Sequence, residues 1–541
     1  MKMPFGAGLH ALETVILLLL VMVAAFAVVA YKLKVPYPIV LVLAGLVISF
    51  VPHMPHIPLD PSLVFLIFLP PLLYAAAWTT SWREFRHHLV LISLLAVGLV
   101  GFTVWGVAEF SEHFITALDW KAGFLLGAVV ATTDAIAASS IARSIGLPRK
   151  IVDILEGESL LNDATGLLAL ELGLSIIMRG ETPSVGAGIL RLLYLIVGGV
   201  GIGLLIGVVV NWLERYVDNG PVEIVVSLVV PYAAYLAGEH VRASGVLAVV
   251  ACGLYLSRKS ATFFSPAVRM QVLGVWDALT FILNGLVFVL IGLQLPYVLA
   301  GIRGVYGMAT LVEYGGIFSV ILIVLRLVWV FPAVKMASLL RRWTGHAEKQ
   351  PQPRHVFVIG WTGMRGVVAL AAAISVPEML GDGRVFGPRN LIVFLAFCVI
   401  LVTLVVQGLT LPPLIRALGL AGATGMSAEE REARKIALEE AIAYLEKGRE
   451  HRGDAFFHAF DDLLDRYQHR LAEVEAGHGE DEHAHGAETY RQVVEAGEGA
   501  VQAERRAIIR LRDEGRISDD VLRTLERELD LEESRYQVAK L

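Results

Sequence analysis

Residues 14–31, TVILLLLVMVAAFAVVAY, and residues 192–213, LLYLIVGGVGIGLLIGVVVNWL, carry no acidic or basic side chain. A run of about 20 apolar residues spans the roughly 30 Å hydrocarbon core of a bilayer as one helix. A chain with several such runs reads as a polytopic membrane protein of helical spans. The surplus shows in the composition: the 541 residues are 56% hydrophobic and 18% charged, with mean hydropathy +0.65. Soluble domains hold about 45–50% apolar and about 25% charged residues.

About thirteen spans are expected, near residues 14–32, 36–52, 62–78, 88–110, 121–142, 157–178, 186–213, 221–239, 243–257, 274–296, 309–332, 355–377 and 390–414. The first exceeds the core of a signal peptide and reads as a retained helix. Lys32, Lys34, Arg83, Arg86, Arg149, Lys150, Arg215, Arg258, Lys259, Arg341 and Arg342 fall in alternate loops. The positive-inside rule makes that side cytoplasmic, with the N-terminus outside and the C-terminus inside. The expected membrane domain is 1–425. From residue 426 the chain turns polar, and SAEEREARKIALEEAIAYLEKGRE shows helical spacing with opposite charges three or four apart. Residues 426–541 are expected to form a cytoplasmic helical domain, its amphipathic faces packed on one another or on a second subunit.

Several features carry little chemistry. Cys252 and Cys398 lie in apolar runs, with no disulfide framework or zinc spacing. The net charge of −6 and the lack of a basic stripe argue against nucleic acid. GGVGIGLLIG (198–207) has no preceding strand and reads as close helix packing rather than a nucleotide loop. His478, His483 and His485 are residues that could bind a metal, and their loose spacing in an acidic segment favours a solvated linker. No resident cofactor is expected, and the spans hold no metalloprotease motif or nucleophile–base pair.

Three segments place ionisable groups at membrane depth, where they face a partner or a watery cavity. In FLLGAVVATTDAIAASSIARSIG (124–146), Thr132, Thr133 and Asp134 form a polar triplet that suggests local unwinding. In EGESLLNDATGLLALELG (156–173), Ser159 and Asp163 share one helical face and Glu158 and Asn162 the next. In VIGWTGMRGVVALAAAISV (358–376), glycines flank Arg365. A carboxylate among hydroxyl and carbonyl oxygens can hold a hard monovalent cation or a proton, but not readily both, which is the minimum apparatus of an exchanger. Interruptions in the fifth and twelfth spans suit two inverted six-helix repeats with a site at the midplane. A buried arginine needs a carboxylate, and Glu158 is the expected partner of Arg365. Glu171 is expected to be structural, and Asn284 and Arg326 to make interhelical contacts. A cation channel would need a continuous pore, and no repeated filter or charged ring is present.

TTDAIA, GESLLNDA and GMRG, in this order, resemble the monovalent cation:proton antiporters of the sodium/proton exchanger family, in the branch with an Asn-Asp pair. Residues 231–257 and 283–295 are similar to its bacterial members, and the likeness covers about 14–414. The resemblance implies a homodimer with a static dimerisation domain and a moving core in the cell membrane. It implies exchange of sodium, potassium or lithium for a proton, one for one. Asp163 would bind cation and proton, Ser159 and Thr133 would supply oxygens, and Asn162 would brace the crossover. Asp134 would balance the broken helix ends, and Glu158 and Arg365 would form a structural pair. Some archaeal relatives carry an acid in the third span where FLPPLLYAAAW (68–78) has Ala75.

Overall fold

The computed structural model describes the chain except residues 1–4, 52–59, 116, 180–183, 218, 303, 344–350, 381–382, 423–427, 452–456, 476–480, 515, 517–518 and 540–541. Within the described residues the architecture is helical, in two compact units, Met1–Ala423 and Thr424–Leu541.

The first unit opens with α1 (Phe5–Leu33), α2 (Tyr37–Ile48), α3 (Pro61–Thr79) and α4 (Trp82–Phe114). Next come the half-helices α5 (Trp120–Val130) and α6 (Ala135–Ile145), then α7 (Arg149–Arg179), α8 (Val185–Glu214), α9 (Gly220–His240), α10 (Gly245–Phe263) and α11 (Pro266–Leu293). After the short α12 (Leu295–Ile302) and the long α13 (Met308–Trp343), a second pair of half-helices follows, α14 (Pro353–Trp361) and α15 (Val367–Ser375). The unit closes with α16 (Arg389–Ala417). Nine stretches of the described residues are long and apolar enough to cross a membrane. Each of the thirteen expected segments falls on a helix or a pair of half-helices.

Starts are set by capping side chains. Asp119, Ser184, Asn219, Ser244 and Ser265 accept the backbone N–H three residues on, satisfying a donor that the first helical turn leaves orphaned. Glycines set close approaches. A methyl group on Gly203 would lie 2.2 Å from the Ala248 carbonyl, and one on Gly292 would lie 2.3 Å from that of Val42. Thus α8 meets α10, and α11 meets α2, nearly backbone to backbone, as small residues permit in membranes. Meanwhile Ile189, Leu190, Leu193, Val197 and Leu205 of α8 are exposed, an apolar face of the kind that lipid covers.

Three helices contain a π-helical turn, at Val64–Phe68, Leu94–Leu99 and Thr403–Gln407. Such a turn loosens the i→i−4 ladder and leaves carbonyls for other donors. Trp329 Nε1 takes that of Leu94 at 3.1 Å, and Thr165 Oγ1 that of Ala96 at 2.5 Å.

The second unit holds α17 (Ala428–His451), α18 (Phe457–Glu475), α19 (Asp481–Asp513) and α20 (Asp519–Ala539), each packed on the next. Leu438, Leu464, Val494, Val501, Leu522 and Leu529 are buried among them. Lys435 meets Glu475 at 2.7 Å, and Arg505 meets Asp530 and Glu533 at 2.7 and 2.6 Å. The expected polar linker is partly helical, because α19 begins at Asp481. His478 and the side chains of His483 and His485 lie outside the described residues.

Candidate functional site

The two breaks meet. Residues 131–134 between α5 and α6, and 362–366 between α14 and α15, are non-helical, and Asp134 N–H donates to the Met364 carbonyl at 2.8 Å. Breaking two helices at depth frees backbone groups that need partners. Arg365 Nε donates to the carbonyl of Val130, the last residue of α5, at 3.1 Å, and its Nη1 donates to the Gly363 carbonyl. Arg326, on α13, donates to the carbonyls of Ile359 and Gly360 at the end of α14, at 3.1 and 3.2 Å. Each half-helix C-terminus, the negative end of its dipole, therefore receives a guanidinium. Asp134 stands at an opposite pole: a methyl group on Gly366, which opens α15, would fall 2.2 Å from Asp134 Oδ2.

The structure corrects one expected pairing. Glu158 is bound by Arg326, not Arg365: Nη1 and Nη2 meet Oε1 and Oε2 at 2.5 and 2.9 Å, and both residues are 1% exposed. Arg326 presents its fork to α7 while Arg365 is spent on backbone carbonyls. The charge–charge requirement was sound, but two buried arginines could have met it. Gly363 makes room, since a methyl group there would strike Arg326 Cδ.

Above this pair α7 grips the first break. Ser159 Oγ donates to the Thr133 carbonyl at 2.8 Å, and Asn162 Nδ2 to Thr133 Oγ1 at 2.5 Å. Thr133 Oγ1 in turn donates to Glu158 Oε1 at 3.3 Å. Gly166 lets Thr132 approach, as a methyl group there would sit 2.2 Å from Thr132 Cγ2. Asp163 is different. It is 5% exposed, makes no hydrogen bond or ion pair with the described residues, and lines a cavity of about 370 Å³. Ser159, Thr132, Thr133 and Asp134 line the same cavity, as do Ala75, Ala76 and Asn284. The Thr133 carbonyl, which accepts a bond from Ser159, keeps a lone pair for a further partner. The cavity thus offers a carboxylate with hydroxyl and carbonyl oxygens around it, a donor set for a hard cation.

The model of the transmembrane sodium/hydrogen exchanger family matches residues 16–417. The chain belongs to the sodium/hydrogen exchanger family. This exchanger is accordingly a multi-pass membrane transporter and not an enzyme. It is 32% identical over 532 residues to a Na+/H+ exchanger of Mycobacterium bovis, covering 96% of this chain and 95% of that one, the helical tail included. It is 33% identical over 415 residues to the Na+/H+ antiporter ApNhaP of Aphanothece halophytica, covering 76% and 75%. Its fold matches that of the sodium proton antiporter MjNhaP1 of Methanocaldococcus jannaschii with TM-score 0.58 at 20% identity, over 76% of this chain and 99% of that one.

Two acids of the exchanger's cavity escaped the sequence reading, Glu156 on α7 and Asp277 on α11. The signal was available: residues 156, 159 and 163 recur at i, i+3 and i+7, one face of a helix. Glu171 instead meets Arg191 at 3.4 Å, and it is 56% exposed, far from a buried ion partner.

Proposed function

We propose that this exchanger moves sodium, or another alkali cation, against protons by alternating access, with Asp163 carrying either the cation or the proton. The observation that supports this reading is the Asp163 carboxylate: buried, without a partner among the described residues, and facing a cavity with Ser159 and Thr133 beside it. A carboxylate left so in the membrane is expensive unless a cation or proton answers it. With Asn162 neutral and Asp163 the one exchanging acid, exchange is one for one and electroneutral. In this reading Asn162 braces the crossover, Asp134 and Arg365 balance the broken ends, and Glu158 with Arg326 holds α7 to α13.

On α7 the cavity-lining residues Glu156, Ser159, Leu160 and Asp163 occupy the half that adjoins Arg149 and Lys150, and on α3 Ala75, Ala76, Trp78 and Thr79 lie at the end that adjoins Arg83. By the positive-inside rule the cavity then faces the cytoplasm, with the N-terminus outside and the C-terminus inside. We place the exchanger in the plasma membrane (the inner membrane, where there are two) as a homodimer among lipids. Its role is in sodium and pH homeostasis, and the tail of residues 426–541 is assigned to regulation or dimerisation. The oxygen donors suit sodium, lithium and potassium alike, so a potassium-preferring exchanger is the second reading.

The test is cation-driven change of a pH dye in proteoliposomes, for wild type and Asp163→Asn. Loss of exchange in the variant is expected, with a rate in wild type insensitive to an imposed membrane potential. Undiminished exchange by Asp163→Asn would remove the site. A chloride-matched series of sodium, lithium and potassium ranks the cargo.

A further inference from the structure

The cavity contains a second buried acid that the proposed exchange chemistry leaves unused. Glu156 is 6% exposed and lies on α7 seven residues before Asp163, with Ser159 between them on the same helical face. At 1.5 Å rise per residue, Glu156 stands about 10 Å from Asp163 along the axis. It lies toward the Arg149–Lys150 end of α7. Across the cavity, α11 presents Asp277, Thr280 and Asn284 at the matching i, i+3, i+7 spacing. On the α3 wall, Ala75 and Ala76 have side chains too short to supply a ligand, and Thr79 is the polar side chain at its end. The cavity therefore has two polar stripes. Their outer ends carry the carboxylates Glu156 and Asp277, and the inner end of the α7 stripe is Asp163, unpartnered among the described residues.

We propose that Glu156 is a second cation-handling carboxylate, which captures an alkali cation still partly hydrated and passes it along the Ser159 face to Asp163. The inference rests on Asp163 being the exchange site. No covalent bond forms or breaks; water is exchanged for protein oxygen in two stages rather than one. The small side chains of Ala75 and Ala76 leave the cavity, about 370 Å³, with room for the water that the first stage retains. A hydrated cation is held less tightly than a stripped one, so it can leave Glu156 for Asp163 without a deep trap on the way. The charge at Glu156 sets how often a cation reaches Asp163, so its removal weakens apparent affinity more than maximal rate.

Initial rates of sodium-driven exchange, measured in proteoliposomes against sodium concentration at fixed pH, test this. Glu156→Gln is expected to raise the apparent KM for sodium about threefold to tenfold, with the maximal rate within about twofold of wild type. Adding Ala75→Glu to that variant, which returns a carboxylate from the α3 wall, is expected to bring KM back toward wild type. An unchanged KM in Glu156→Gln, or a lowered maximal rate at unchanged KM, overturns the inference. Ala75→Glu alone leaves Glu156 untouched and covers the case where Glu156→Gln does not fold: a lowered KM is expected, and an unaltered one sinks the proposal. Asp163→Asn in parallel separates the two readings. If it still exchanges, the site itself is misplaced; if it is inactive while Glu156→Gln keeps a wild-type KM, only the role of Glu156 falls.

Discussion

Glu158 and Arg326, 168 residues apart in sequence, form a two-pronged ion pair in which neither side chain reaches solvent. The same guanidinium closes the end of α14, so one residue ties α7, α13 and a broken helix together. Removing one partner of a buried pair strands the other charge, at a cost of about 3–5 kcal/mol. Arg326→Ala should therefore lower the thermal stability of the purified protein sharply. Arg326→Lys should recover little of it, because an ammonium cannot reproduce a fork that meets two carboxylate oxygens and two carbonyls. Near-wild-type melting of the lysine variant would refute the geometric argument.

Ser159→Ala tests the oxygen beside Asp163. The substitution removes a hydrogen bond to the Thr133 carbonyl and one candidate ligand together. A single hydrogen bond contributes about 0.5–1.5 kcal/mol, and the lost ligand adds to that. Apparent sodium affinity should fall about tenfold while the protein stays folded. Sodium titration of exchange, with monodispersity as the control, gives the answer.

A methyl group at Gly366 would collide with the Asp134 carboxylate, whereas one at Gly316 meets nothing within 4 Å. Overpacking of this kind costs about 1–3 kcal/mol. Gly366→Ala should slow exchange and destabilise the protein, and Gly316→Ala should do neither. Equal behaviour of the two in paired melting and transport assays would mean that Asp134 yields freely.

In the tail, the hydrogen bond and charge of Glu475 raise the Lys435 ammonium above its ordinary value. A raised cationic group contributes its stabilisation fully below the ordinary lysine pKa and loses it only as pH climbs through the higher, folded-state one. Through the neutral range the Lys435–Glu475 pair is therefore constant. Lys435→Met should leave the shape of the pH–activity curve unchanged between pH 6 and 9, as a dye-based pH series on the full chain would record.

Both helix breaks were legible because their causes are local. Three consecutive polar side chains at Thr132–Asp134, and glycines on both sides of Arg365, weaken a helix wherever they stand. The membrane unit and the amphipathic tail were legible for the same reason, as periodicity and composition need no distances. The partner of Glu158 was not. Arg326 and Arg365 both sat inside apolar runs, both demanded an acid, and only the packing of α13 against α7 and α14 decides between them. The π-helical turns left no mark either, because Leu94–Leu99 and Thr403–Gln407 read as ordinary apolar helix. Glu156 lay in plain view, on the same helical face as Ser159 and Asp163.

An interrupted helix is commonly taken as a hinge, because missing backbone hydrogen bonds remove the resistance to bending. At both interruptions here the released carbonyls have been recaptured by guanidinium groups, at Val130 by Arg365 and at Ile359 and Gly360 by Arg326. Charge-assisted bonds of this sort are roughly twice as strong as the neutral ones they replace. Flexing either joint would pull a buried cation from its acceptors before it strained any remaining turn of helix. The crossing is therefore a splice rather than a pivot: whatever displaces Asp163 must carry Thr133, Arg326 and Arg365 along with it.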